Sequence, residues 1–83
     1  MNKVLVKLYV PKLNEQYDIW LPINKQIFNV INLLVKSVSE LSGRVFEPIN
    51  MPILYDKFTA KEYDINMTVK EAGIRNGTEI ILI

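Results

Sequence analysis

The sequence predicts an α+β fold in which one main amphipathic helix packs on one face of a mixed sheet of four to five strands. Three observations predict it. Two runs near the N-terminus alternate with the two-residue period of a strand, residues 27–41 switch to the period of a helix, and strand patterns return after residue 52. The order along the chain reads β-β-α-β-β-short helix-β.

Residues 3–10 place Val4, Val6, Leu8 and Val10 on one face and Leu5, Lys7 and Tyr9 on the other. Residues 11–14 read as a turn, and residues 16–21 alternate again, with Tyr17, Ile19 and Leu21 opposite Asp18 and Trp20. Two such runs with a short polar link make a hairpin. Pro22 ends the second strand, and Asn24 is the expected N-cap, its side-chain oxygen accepting from a first-turn amide.

At about 100° per residue, Ile27, Val30, Ile31, Leu34, Val38 and Leu41 fall in one core-facing arc. Asn29, Asn32, Lys36 and Glu40 lie opposite, and Gly43 stands where a left-handed C-terminal residue is favoured. Phe28 and Val35 flank the stripe. Leu33 lies off it without an evident reason.

Residues 44–50 read as a loop, with Pro48 and Pro52 as its bounds, followed by a short strand at Ile53, Leu54 and Tyr55. Asp56 and Lys57 form a turn, and residues 58–63 are expected to add a brief strand. Thr68 caps a short helical turn over residues 69–72, with Glu71 completing a capping box. Residues 73–77 then reverse the chain into a last strand over residues 78–83.

Eighty-three residues, 49 % of them apolar, are expected to form one domain spanning residues 1–83. Cysteine and histidine are both absent, which excludes disulfides, thiolate chemistry, Cys/His zinc sites and His-based acid–base catalysis. No catalytic residue, metal ligand or cofactor site is therefore expected. Ten basic residues against nine acidic ones are scattered, and only two are arginine, so no stripe suits a nucleic-acid backbone. Lys7 and Pro11 interrupt the N-terminal apolar run too early for a signal peptide, and no stretch approaches the roughly 20 apolar residues of a membrane span.

Four marks carry a family resemblance: the Ile27-x-x-Val30 helix opening, Ile53-Leu54-Tyr55-Asp56-Lys57, Thr68-Val69 ahead of Gly73-Ile74, and the run from Asn76 to Leu82. In order and spacing, over essentially the whole chain, the sequence resembles the ubiquitin-like superfamily. The resemblance implies a β-grasp with the first and last strands central and parallel. Within the superfamily it looks most like the EsaB/YukD-type proteins of Gram-positive bacteria. That implies a cytoplasmic accessory or regulator of type VII (ESX/WXG100) secretion, whose partner is a membrane component or ATPase of the machine. Ubiquitin-type modifiers and sulfur carriers end in Gly-Gly, whereas Glu79 to Ile83 keep a strand pattern. The expectation is a module that binds without catalysis or conjugation; a modifier made from a longer precursor is an alternative.

The pleat predicts which surface binds. If Val4, Val6, Leu8, Tyr17, Ile19, Leu21, Ile53, Tyr55, Ile80 and Leu82 face the helix, the open face carries Leu5, Tyr9, Trp20, Leu54, Ile81 and Ile83. Leu13, in the first turn, is expected at its rim. An open sheet face normally carries mainly polar residues, so a contiguous apolar group there reads as a protein-binding patch. The resemblance adds weight to Leu13, Leu54, Ile81 and Ile83, since ubiquitin binds through corresponding positions. Trp20 and Tyr9 are aromatic anchors of the kind enriched at hot spots. A homodimer through the same face is a further expectation.

The remaining candidates read as structure. Glu62 and Asp64 are solvated loop charges, Thr68 and Glu71 a cap, Gly73 and Gly77 turn residues, and Tyr17, Tyr55, Phe58 and Tyr63 packing residues.

Overall fold

The computed structural model describes residues 2–46 and 50–83. Its elements are β1 (Lys3–Val10), a 3-10 turn (Pro11–Leu13), β2 (Glu15–Pro22), α1 (Ile27–Ser42), β3 (Leu54–Asp56) and β4 (Glu79–Leu82). The sheet order is β2-β1-β4-β3, with β1 and β4 parallel at the centre and antiparallel partners outside. This is the mixed sheet that the pattern predicts, with the central parallel pair that the family resemblance implies.

The first hairpin is fixed by its turn. Pro11 presets φ, Asn14 takes the left-handed conformation (φ 51°), and its N–H donates to the Pro11 carbonyl at 3.0 Å. The register then runs from Val10 opposite Glu15 to Lys3 opposite Pro22. Val6, Leu8 and Val10 from β1 and Ile80 and Leu82 from β4 meet Ile27, Val30, Ile31, Leu34 and Val38 of α1 in one buried cluster. Each fully buried aliphatic side chain contributes roughly 1.5–3 kcal/mol. Gly43 ends the helix at φ 67°, as expected.

The start of α1 differs from expectation. Gln26, not Asn24, occupies the cap position, and it makes no side-chain cap. Instead the Ile27 N–H donates to the Met67 carbonyl (2.8 Å) and the Phe28 N–H to the Ile65 carbonyl (3.0 Å). A backbone segment crossing the helix end supplies what a side chain would have supplied. Leu41 also departs from the stripe: it lies one turn beyond Val38, the last buried helix residue, and is 59 % exposed.

The second half is more irregular than predicted. The expected strand over residues 58–63 reduces to a bridge between Tyr55 and Glu62, and the short helix to one turn closed by the Ala72 N–H and the Thr68 carbonyl (2.9 Å). In the loop after α1, Phe46 enters the core, its N–H donating to Ser39 Oγ at 3.1 Å. Pro48 lies outside the described residues.

β3 carries the main correction. Leu54 pairs with Leu82, Tyr55 with Ile81 and Asp56 with Ile80. Leu82 faces the helix, so Leu54 does too, and it is only 1 % exposed. Ile53 and Tyr55 take the other face. Among the described residues, no helix is long and apolar enough to cross a membrane.

Candidate interaction face

Among the described residues no element covers the sheet face opposite α1, and the residues of that face fall into rows across the strands. One row pairs Trp20 of β2 with Leu5 of β1. The next runs across β2, β1 and β4 as Asp18, Lys7 and Glu79 and on to Lys57, the residue after β3, whose N–H donates to the Glu79 carbonyl. A third holds Gln16, Tyr9, Ile81 and Tyr55. Beyond it Ile53 and Ile83 exchange two backbone hydrogen bonds, of 2.9 and 3.0 Å.

Of the seven residues the sequence singled out, five stand on this face: Leu5, Tyr9, Trp20, Ile81 and Ile83. Trp20 is 49 % and Ile83 62 % exposed, and the other three are half-buried by their neighbours. Leu54 is in the core. Leu13, the last residue of the 3-10 turn, is partly buried against the core cluster. Tyr55 and Ile53 take the places that Leu54 was expected to fill.

The face is not one contiguous apolar patch either. The charged row separates the Trp20–Leu5 pair from the group of Tyr9, Tyr55, Ile81, Ile53 and Ile83. Its charges alternate in sign from edge to edge, the arrangement that directly opposed strands favour. Lys57 Nζ lies 3.5 Å from Glu79 Oε1.

The Trp20–Leu5 end is shaped by the last turn. Asn76 Oδ1 accepts from the Leu5 N–H and the Gly77 N–H donates to the Leu5 carbonyl, both at 2.8 Å. These two bonds tie the turn ahead of β4 to the edge of β1, and Gly77 reaches its position at φ 86°. A groove of about 360 Å³ results, lined by Leu5, Lys7, Asp18, Trp20, Asn76 and Gly77 among others.

Polar clusters elsewhere have structural partners. Asp56 Oδ1 accepts from the Phe58 and Thr59 N–H groups (2.9 Å each) and Oδ2 from the Tyr63 hydroxyl (3.0 Å). The Thr59 amide chiefly, with the Tyr63 hydroxyl, holds the Asp56 carboxyl below its ordinary pKa; burial, then Asp56 itself, pushes the Tyr63 hydroxyl up. Thr68 and Glu71 form the expected reciprocal capping box, at 3.0 and 3.1 Å, and the Thr68 amide lowers the Glu71 pKa. The Tyr17 hydroxyl donates to Glu15, which also meets Arg44 at 2.5 Å. Asp64 accepts from the Asn66 N–H at 2.9 Å, an Asx turn. Tyr17 and Tyr63 pack against the core as expected, but Phe58 is 77 % exposed. Among the described residues, no group of three or more His, Cys, Asp and Glu could hold a metal ion.

Known family models give no match to this chain, and no curated protein matches it in sequence. Solved structures do match. The ubiquitin-like domain of the Mycobacterium tuberculosis type VII secretion system protein EccD1 superposes with a TM-score of 0.79 at 16 % identity, covering 100 % of this chain and 99 % of that one. The EccD5 ubiquitin-like domain from Mycobacterium xenopi gives 0.82 at 16 % identity, covering 100 % and 94 %. A chain of the MycP5-free ESX-5 inner membrane complex gives 0.82 at 13 % identity, with all of this chain matching 21 % of that one. The fold is therefore a ubiquitin-like β-grasp, and its structural neighbours include ubiquitin-like domains of type VII secretion proteins.

Proposed function

We propose that residues 1–83 form one non-catalytic ubiquitin-like binding domain that serves a type VII (ESX/WXG100) secretion system from the cytoplasmic side. The observation that carries the binding reading is the uncovered sheet face, where Tyr9, Tyr55, Ile81, Ile53 and Ile83 gather beside the charged row and Trp20 stands at the other end. Apolar and aromatic groups of this kind, ringed by polar ones, are what protein interfaces bury at their centre. The likeness to EccD domains, one of them within an inner membrane complex, supports a secretion-machine component as the partner. The charged row on this face bears two charges of each sign, which fits a protein surface better than a phosphate backbone.

Substitution tests the face directly. Tyr9→Asp with Ile81→Asp places two carboxylates on it without touching the core, so the double variant is expected to fold. It is expected to lose capture of the cytosolic domains of the secretion ATPase and of the EccD-like component of the same organism. Undiminished capture by the folded double variant would remove the face from the account. Failure of the wild type to bind either protein would remove the secretion assignment.

A further inference from the structure

The charged row across the open face has a symmetry that the fold gives to it. From β2 to the residue that follows β3 it reads Asp18, Lys7, Glu79, Lys57, which is minus, plus, minus, plus over an even number of positions. Reversing the row exchanges every sign. A second copy laid face to face, about a two-fold axis parallel to the strands and between β1 and β4, therefore sets Asp18 against Lys57 of the other copy and Lys7 against Glu79. All four contacts are attractive. A two-fold axis along the row would instead oppose each charge to itself, and like charges across an interface strongly disfavour it.

The same operation carries the apolar row onto itself, bringing Tyr9 of each copy over Ile81 of the other. Isologous pairing of this kind uses one patch twice, and the cyclic dimer is the commonest oligomer. Packed sheets cross at about 30°, an offset that lysine side chains can span.

We propose that this face is covered in the free protein by a second copy of the chain, in the two-fold arrangement that pairs Lys7 with Glu79 and Asp18 with Lys57 of the other copy. The proposal rests on the reading of the face as a docking surface and says what occupies it when the secretion partner is absent. Self-association then masks the face, and partner and second copy compete for it.

Charge reversal tests it. Sedimentation of the wild type is expected to show a concentration-dependent dimer that weakens with salt. Lys7→Glu alone sets a carboxylate against Glu79 of the other copy, at both symmetric contacts, and Glu79→Lys alone opposes two ammonium groups in the same way. Each single variant, shown folded by circular dichroism, is expected to dimerise about tenfold or more weakly. An equimolar mixture of the two restores every pair and is expected to recover the dimer. Asp18→Lys mixed with Lys57→Glu gives the same readout should either first variant fail to fold. A wild type that stays monomeric up to millimolar concentration overturns the proposal, as does a mixture that stays monomeric while the wild type dimerises. Either result leaves the docking reading standing, because Tyr9→Asp with Ile81→Asp judges that separately.

Discussion

Leu54 and Tyr55 are adjacent, both large and both apolar in part, yet one belongs to the core and the other to the open face. Truncation separates them. Leu54→Ala is expected to cost about 2–5 kcal/mol, the range for a buried leucine, while Tyr55→Ala stays within about 1 kcal/mol. Urea unfolding midpoints read both, and equal costs would contradict the register of β3. Their faces were illegible in the sequence for a simple reason. Ile53, Leu54 and Tyr55 are consecutive and apolar, so no alternation exists to set the phase. The pairing with Leu82 and Ile81 sets it instead. A backbone effect belongs to this scale too. Ala60 sits at φ 58°, which is strained for a side chain with a Cβ but free for glycine. Ala60→Gly is expected to stabilise the protein by roughly 0.5–1 kcal/mol, and a lowered melting temperature would count against that left-handed turn.

Elements built from local signals were the most legible. The first hairpin, the helical stripe, Gly43 and the capping box at Thr68 and Glu71 depend on residues a few positions apart, and the structure has each of them. The start of α1 was not legible, because its first amides bond to carbonyls of Ile65 and Met67, far along the chain. Thr68 sits beside that segment, so its cap has a consequence beyond its own turn. Thr68→Ala is expected to destabilise by about 1 kcal/mol and to speed hydrogen exchange at the Ile27 and Phe28 amides. Unchanged exchange there would show that the helix start does not depend on the cap. The Asp56 turn adds a pH dependence. Its carboxyl pKa is lower in the folded state than the ordinary 3.8, so its stabilising contribution is complete above that value. It is lost as pH falls through the folded pKa. Asp56→Asn is expected to flatten the fall of stability below about pH 4, relative to the wild type.

At the scale of the molecule, order and spacing of elements made the β-grasp legible, including the central parallel pair of β1 and β4. What the sequence did not disclose is the charged row, because Asp18, Lys7, Glu79 and Lys57 become neighbours only once four strands are paired. That row turns an expected apolar patch into two apolar ends with a signed strip between them. The face can then discriminate among partners by charge as well as by shape.

The central claim is that this face, and not the helix side, meets the protein partner. Amide chemical-shift mapping of the labelled protein, titrated with the cytosolic domains of the secretion ATPase and of the EccD-like component, tests it most directly. Shifts are expected to concentrate at Leu5, Lys7, Tyr9, Trp20, Tyr55 and Ile81. Binding that perturbs Asn29, Asn32, Lys36 and Glu40 on the outer side of α1 and leaves the sheet face unmoved would contradict it.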